Sequence, residues 1–201
     1  MNNNCHRNPV LLIHGFLVDS RVFRRMSAYL TNLGWSVYSF NLVPNYGIVG
    51  IDELAEQIVD YVDRTFHPEQ RFDIVGLSMG GLVSRYYIQR LGGINRVQRL
   101  IAISSPHHGT WTAYILWVKG CVQMRPKSDF LASLNQDISM LEQLNFTSIW
   151  TPWDFMIVPA SSSQMPVGKE VKLPIFAHAN MARHPLSLKA LAEALTAPIT
   201  D

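Results

Sequence analysis

The stretch FDIVGLSMGGLVSRYY, residues 72–87, decides the fold and raises the question of what Ser78 does. A buried apolar run leads into Gly76 and Ser78, and a helical pattern follows Gly80. A serine on such a strand-to-helix turn must adopt strained backbone angles, and side chains two residues before and after it would clash. Glycine at both positions removes those clashes. The stretch therefore predicts a nucleophilic serine on a tight elbow, and the alternative is a glycine-rich turn with an incidental serine.

Outward from this stretch, apolar runs of strand length alternate with helical periodicity along most of the chain. The predicted strands are 9–15, 35–42, 72–76, 97–106, 147–152 and 173–177, and the predicted helices are 21–33, 51–66, 130–144 and 186–197, with another from the glycine pair to about 91. This order predicts an α/β fold in which a mainly parallel sheet of about six strands has helices on both faces. We expect a single domain over 1–201, with 1–8 as a flexible tail. In such folds, functional sites form at the carboxyl ends of the strands.

The composition is typical of a compact globular domain. Of the 201 residues, 48% are hydrophobic and 16% are charged, and the formal net charge is +2. The basic residues are scattered and their densest clusters fit solvated helix faces, so no nucleic-acid partner is predicted. Those clusters are Arg21, Arg24 and Arg25 in one place and Arg96 and Arg99 in another.

The amino-terminal stretch MNNNCHRNPV has no charged region followed by an apolar one, so no secretory signal is predicted. Every apolar run is far too short to cross a bilayer. The chain is therefore expected to be cytoplasmic, with Cys5 and Cys121 as reduced thiols rather than a disulfide. Nothing in the sequence indicates the oligomeric state.

A nucleophilic serine needs a base and an acid that orients the base. Asp154 follows the fifth predicted strand, and His178 and His184 follow the sixth. We favour His184 because it precedes Pro185 and lies on the predicted loop before the last helix. His178, at the predicted strand end, is the alternative base and is otherwise expected to be a core or supporting residue.

Three other carboxylates compete with Asp154 for the role of the acid. Asp129 and Asp137 fall in or beside a predicted helix, where a surface charge or a cap is the default interpretation. Asp73 lies in the strand before Ser78 and is too close in sequence to reach the histidine. Asp154 is favoured by its position.

His14 and Phe16 follow the first predicted strand. In one interpretation, the N–H groups of Phe16 and Met79 form an oxyanion hole. In the other, His14 and Asp19 form an H-x-x-x-x-D pair of the kind found in glycerolipid acyltransferases. The first is favoured because the second pattern is short.

Adjacent histidines, His107 and His108, lie in SSPHHGTW, residues 104–111. Neighbouring positions rarely face one metal ion, and no carboxylate or thiolate cluster accompanies them. Hydrogen bonding in a loop near the pocket is the favoured role, and no metal or other cofactor is predicted.

The stretches PVLLIHGF, VGLSMGGLVSRYY, SSPHHGT, WTPWDFMIVP and HPLSL together resemble the α/β-hydrolase fold and, more narrowly, the small bacterial lipases and esterases of the triacylglycerol lipase-like, class 2 lipase-like kind. The resemblance implies Ser78 as nucleophile, Asp154 as acid and His184 as base. It also implies Phe16 and Met79 as oxyanion donors. Because the chain is short, we expect it to lack the full cap domain that many such enzymes carry.

The substrate is expected to be a carboxylic ester of an apolar acyl group, cleaved through an acyl-enzyme. The segment TWTAYILWVKG, residues 110–120, is either core packing under a loop or an acyl-chain wall or lid able to touch a lipid surface transiently. Candidate substrate contacts are Leu17, Trp111, Ile115 and Trp117. The alternatives are an acyltransferase or thioesterase on the same scaffold, or a non-catalytic binding protein.

Overall fold

The structure is a computed structural model that describes residues 7–199 and contains one six-stranded sheet. Its strands are β1 (Val10–Ile13), β2 (Val37–Ser39), β3 (Phe72–Leu77), β4 (Val97–Ile103), β5 (Asn145–Trp150) and β6 (Lys169–Lys172). They lie in the order β2-β1-β3-β4-β5-β6, and every neighbouring pair is parallel. The chain runs outward from β1 to β2 and then crosses to β3 on the other side. The carboxyl ends of β1 and β3 therefore flank the topological switch point, where α/β folds place their sites.

Residues 7–199 contain six α-helices: α1 (Arg24–Asn32), α2 (Ile51–Thr65), α3 (Met79–Arg90), α4 (Lys119–Gln123), α5 (Asp129–Gln136) and α6 (Pro185–Thr196). Short 3₁₀ helices span Ser20–Phe23, Gly93–Asn95, Trp111–Tyr114, Ile138–Gln143, Ala160–Ser163 and His178–Asn180. Alternate residues of the buried strands point to opposite faces, so Leu12 packs with α1 and α6 whereas Leu11 packs with α2 and α3. The predicted α/β fold, with helices on both faces, is confirmed.

Residues 7–199 form no cap domain over the sheet. Within the same part of the chain, no helix combines the length and the apolar character that crossing a bilayer requires.

The sixth strand is not where the sequence predicts it. It spans Lys169–Lys172 rather than 173–177. It is an edge strand in which only Val171 is half-buried, so it carries charged residues and lacks the apolar run that marks a buried strand. The apolar run that follows is a loop whose Ile175 is buried, and the Ile175 carbonyl accepts a hydrogen bond from Thr151 at 2.5 Å. His178 consequently lies on a loop and not at a strand end.

The predicted helix over 130–144 is interrupted. α5 ends at Gln136, and a 3₁₀ helix over Ile138–Gln143 follows. The interruption is at Asp137, whose carbonyl accepts from Gln89 and whose carboxylate pairs with Arg90 at 2.7 Å. Two of the carboxylates that competed with Asp154 for the role of the acid therefore have other positions. Asp137 is in this surface ion pair, and Asp129 is the first residue of α5.

The predicted tail over 1–8 falls mostly outside the described residues, as does Cys5. Arg7 and Asn8, the last two residues of this segment, contact the rest of the domain. Asn8 donates to the Asp73 carboxylate at 2.9 Å, and the Arg7 guanidinium lies 4.2 Å from the centre of the Trp35 ring. The expectation of a flexible tail over 1–8 stays a prediction.

A buried ion pair lies at the amino end of the sheet, away from Ser78. Asp73 of β3 is 1% exposed and is 3.2 Å from the Arg99 guanidinium of β4. Burial raises the pKa of the Asp73 carboxyl to about 6, despite the opposing effects of Asn8 and Arg99. The folded protein therefore holds this proton more tightly than the unfolded chain does, where the pKa is about 3.9.

We expect Asp73→Asn to change how stability depends on pH. The contribution of the Asp73 proton to stability is fully present below the unfolded pKa and is lost as pH rises through about 6. Between pH values near 7 and near 4, the free energy of unfolding of the wild type should gain up to about 3 kcal/mol relative to the variant. Urea unfolding at several pH values measures this difference.

The control is Asp60→Asn, since Asp60 is exposed and pairs with Arg64 only at the surface. A difference between wild type and Asp73→Asn that stays constant with pH would contradict the raised pKa.

Candidate active site

Ser78 lies between the end of β3 and the start of α3 with φ 55° and ψ −124°, a strained conformation for a residue with a side chain. The backbones around it approach too closely for side chains. A Cβ on Gly76 would lie 2.5 Å from the Gly81 Cα, and one on Gly80 would lie 2.2 Å from the Ile13 carbonyl oxygen. The elbow geometry follows from these contacts, and the role of Ser78 as nucleophile stays a prediction.

Asp154 lies on the loop after β5 and contacts His178, on the loop after β6. The His178 Nδ1 and Asp154 Oδ2 atoms are 2.7 Å apart, and the carboxylate is almost fully buried. The other oxygen, Oδ1, accepts from the N–H groups of Met156 and Ile157, both at 2.9 Å. The carboxylate is thus fixed at both oxygens, which fixes the imidazole in turn.

His184, the base favoured from sequence, does not meet Asp154. It is the N-cap residue of α6, and its Nδ1 accepts from the Leu186 N–H at 3.2 Å. The backbone N–H of His184 donates to the Asn180 carbonyl at 2.9 Å. The expected pairing of Asp154 with His184 is therefore wrong, because His184 begins the last helix while His178 occupies the loop beside Asp154.

The error in the predicted position of β6 explains why the sequence favoured His184 over His178. Because β6 ends at Lys172, a loop of several residues precedes His178 and carries it back toward β5. Ala177, with φ 68°, makes the turn, and its N–H donates to the Trp153 carbonyl. The charged KEVK run before Leu173 was the available signal for an exposed edge strand.

The predicted oxyanion donors lie on both sides of the elbow. Phe16 follows β1 and lines the same pocket as Ser78, and Met79 is the first residue of α3. Among residues 7–199, neither backbone N–H has a hydrogen-bond acceptor. Leu17, with φ 58°, donates to the Asn45 carbonyl at 3.0 Å and so anchors this loop.

His14 has a structural role. It is fully buried, its Nε2 accepts from the Leu42 N–H at 2.9 Å, and its Nδ1 lies 3.0 Å from the Gly15 carbonyl. Burial lowers the pKa of its imidazole. Asp19 is bound to Arg21 instead, at 2.6 Å, so the structure does not form the acyltransferase-like pair of His14 and Asp19.

A pocket of about 220 Å³ opens at Ser78. Its walls come from the loop after β1, residues 110–124 and the loop after Asp154, and none of its lining residues is charged. Of the four predicted substrate contacts, Leu17 and Ile115 line it. Trp111 and Trp117 do not: Trp111 stacks on Tyr114, and Trp117 lies under the Arg125 guanidinium at 4.1 Å.

The segment over 110–120 is attached to its surroundings at several points. Thr110 and Thr112 both donate to the Met156 carbonyl, at 2.9 and 2.7 Å. Two of its apolar side chains are nevertheless exposed, by 77% for Ile115, which lines the pocket, and by 82% for Trp117, which does not. The segment forms a wall of the pocket, and its contact with a lipid surface stays a prediction.

The His107 ring does not make the hydrogen bonds predicted for the two adjacent histidines. His107 is fully buried, and burial with the nearby Arg85 charge lowers the pKa of its imidazole well below the usual value. Its ring nitrogens have no partner in residues 7–199, whereas its backbone carbonyl accepts from Asn135. The same residues contain no group of three or more histidine, cysteine or acidic side chains placed to hold a metal ion.

Residues 9–133 match a family described as palmitoyl protein thioesterase. Among solved structures, Bacillus licheniformis lipase BlEst2 in mature form superimposes with a TM-score of 0.78 at 14% identity, covering 95% of this chain and 93% of that one. Aspergillus fumigatus lipase B gives 0.80 at 18% identity, covering 96% and 54%. Phospholipase PlaB from Legionella pneumophila, in complex with thio-NAD, gives 0.78 at 15% identity, covering 94% and 58%. At these identities the likeness establishes the α/β-hydrolase fold.

We expect His184→Ala to destabilise the protein by about 0.5–2 kcal/mol, because α6 loses the side chain that caps its first turn. His184→Asp should retain most of the stability, since aspartate is a favoured N-cap residue. Urea unfolding of the two variants beside the wild type measures the difference. Equal losses in both variants would show that capping is not what His184 contributes.

Proposed function

The chain belongs to the palmitoyl protein thioesterase family, and on that basis we propose that Ser78, His178 and Asp154 hydrolyse carboxylic esters, thioesters included, of apolar acyl groups. The chain is a hydrolase acting on esters, as that membership implies. The observation that carries the assignment of residues is the 2.7 Å contact between His178 Nδ1 and Asp154 Oδ2. Asp154 also binds the N–H groups of Met156 and Ile157, which line the Ser78 pocket.

The first half of the reaction forms an acyl-enzyme. With Nδ1 held by Asp154, the Nε2 atom of His178 takes the Ser78 proton as the hydroxyl oxygen attacks the acyl carbonyl. The N–H groups of Phe16 and Met79 stabilise the oxyanion of the tetrahedral intermediate. His178 then gives its proton to the departing alcohol or thiol, and the bond from carbonyl carbon to leaving group breaks.

The second half releases the acid. His178 takes a proton from water, whose oxygen attacks the acyl-enzyme, and the Ser78 oxygen leaves and recovers its proton from His178. One ester and one water become one carboxylic acid and one alcohol or thiol. Asp154 orients the imidazole and stabilises the imidazolium that forms in each half.

The shape of the pocket favours acyl chains of modest length. Its volume of about 220 Å³ is smaller than the roughly 300–1,000 Å³ of sites for drug-sized ligands. Cys121 and Met124 belong to its wall, and burial raises the pKa of the Cys121 thiol, which favours the uncharged form. An apolar chain is therefore the complement of this wall.

Two other outcomes use the same acyl-enzyme. Thioester cleavage is favoured over oxygen-ester cleavage by the family description, and acyl transfer would differ only in using an alcohol in place of water. Comparing the rates on an oxygen ester and a thioester of the same acyl group distinguishes ester cleavage from thioester cleavage. Product analysis with an added alcohol detects transfer.

We expect Ser78→Ala and His178→Ala each to lower kcat by about a thousandfold or more on p-nitrophenyl esters, because the members of a triad act as a unit. Asp154→Asn should cause a similar loss by removing the charge that orients His178. His184→Ala is the matched control, and its kcat should stay within about twofold of wild type. Loss of activity in His184→Ala with retention in His178→Ala would reverse the assignment of the base.

We expect Cys121→Leu to shorten the preferred acyl chain, because a larger side chain fills part of the pocket. The ratio of kcat/KM for octanoyl over acetyl p-nitrophenyl ester should fall by about tenfold or more. Val122→Leu is the control, since Val122 is 40% exposed and does not line the pocket. An unchanged ratio in Cys121→Leu would mean that the acyl chain binds elsewhere.

A further inference from the structure

A groove of about 480 Å³ lies between the start of α1 and the loop that carries His178. Four arginines line it: Arg21, Arg24, Arg25 and Arg183. The first three are the cluster that the sequence assigns to a solvated helix face. The structure brings Arg183 to them from a distant part of the chain, and the groove therefore collects positive charge from two separate elements.

Most of this charge has no carboxylate partner within residues 7–199. Arg21 pairs with Asp19, whereas Arg24 and Arg25 form no ion pair and Arg183 donates only to a neutral amide oxygen. Arginines in the first turns of a helix also lie near the positive end of its dipole, which costs stability. An anion bound in the groove would offset both effects.

The groove borders the loop that carries His178, the residue proposed to protonate the leaving group. Ala179, the residue after His178, is part of its wall. In the proposed reaction His178 gives its proton to the departing oxygen or sulfur, so the leaving group must lie on the His178 side of Ser78. The uncharged acyl pocket at Ser78 shares no lining residue with the groove. The two cavities are therefore distinct.

We propose that the groove binds phosphate on the leaving group, so that the substrates are acyl esters or thioesters with an apolar acyl chain and a phosphorylated alcohol or thiol. This inference rests on the proposed function. Guanidinium groups bind phosphate oxygens with paired, charge-assisted hydrogen bonds, and several arginines suit a group with more than one negative charge. The groove exceeds the volume of the acyl pocket, which leaves room for a leaving group larger than a simple alcohol.

Two substrate types have this chemistry, and paired substrates with one acyl group distinguish them. Octanoyl-coenzyme A is compared with S-octanoyl pantetheine, which lacks the phosphates. Octanoyl glycerol phosphate is compared with monooctanoyl glycerol. The wild type should prefer the phosphorylated member of at least one pair, and the pair that shows the larger preference identifies the source of the phosphate.

The test variant is Arg24→Gln/Arg25→Gln/Arg183→Gln, which removes the unpaired charges. The ratio of kcat/KM for the phosphorylated over the neutral member should fall by about tenfold or more, with the neutral substrate unaffected. Isothermal titration with inorganic pyrophosphate gives a readout that does not depend on catalysis, and the wild type should bind it more tightly than this variant.

The control removes the same charge elsewhere. Arg64→Gln/Arg71→Gln/Lys169→Gln changes three exposed basic residues outside the groove. Its substrate ratio and pyrophosphate affinity should match the wild type. An equal loss in both triple variants would mean that net charge, not the groove, attracts the anion, and would overturn the proposal.

The outcomes separate this inference from the proposed function. Cleavage of neutral esters with no phosphate preference and no pyrophosphate binding overturns the inference and leaves the proposed hydrolysis intact. If the wild type cleaves none of the substrates, the proposed function fails and the assignment of a substrate fails with it. The pyrophosphate titration alone then upholds or overturns the groove as a phosphate site.

Discussion

The close approach of backbones around Ser78 is the constraint on which the rest of the site depends. The start of α3 packs against the end of β1 so tightly that a Cβ on Gly80 would lie 2.2 Å from the Ile13 carbonyl oxygen. This contact fixes the N–H of Met79 relative to the loop that carries the N–H of Phe16. It also maintains the positive φ of Ser78, which costs about 1–3 kcal/mol and persists because its neighbours leave no other conformation.

The Asp154–His178 contact adds a second constraint, set by loops rather than by strand packing. Both carboxylate oxygens are occupied, one by the imidazole and one by two backbone N–H groups. The His178 loop is tied to the same place because Ala177 donates to the Trp153 carbonyl. An imidazole held in this way keeps one nitrogen free for proton transfer, which is the property that a serine nucleophile requires.

The fold and the elbow could be predicted from sequence because both depend on neighbouring residues: buried parallel strands are apolar throughout, and the glycines beside Ser78 are two residues away. The histidine that contacts Asp154 could not be ranked first from sequence, because that choice depended on where β6 ends. The largely exposed edge strand β6 consists mostly of charged residues, and the apolar run after it has the sequence pattern of a buried strand. The arginine groove could not be predicted from sequence, since only tertiary packing brings Arg183 to Arg24 and Arg25.

The two cavities on which the proposals rest differ in the charge of their lining residues. The pocket at Ser78 has no charged lining residue, whereas the groove beside the His178 loop is lined by four arginines. Binding energy from a remote group that does not react can be used to position the reacting carbonyl. A substrate with an apolar acyl chain and an anionic leaving group would be held at both ends, with its ester bond over Ser78. The released acid is itself an anion, and the uncharged pocket would bind it less well than the neutral acyl group, which favours product release.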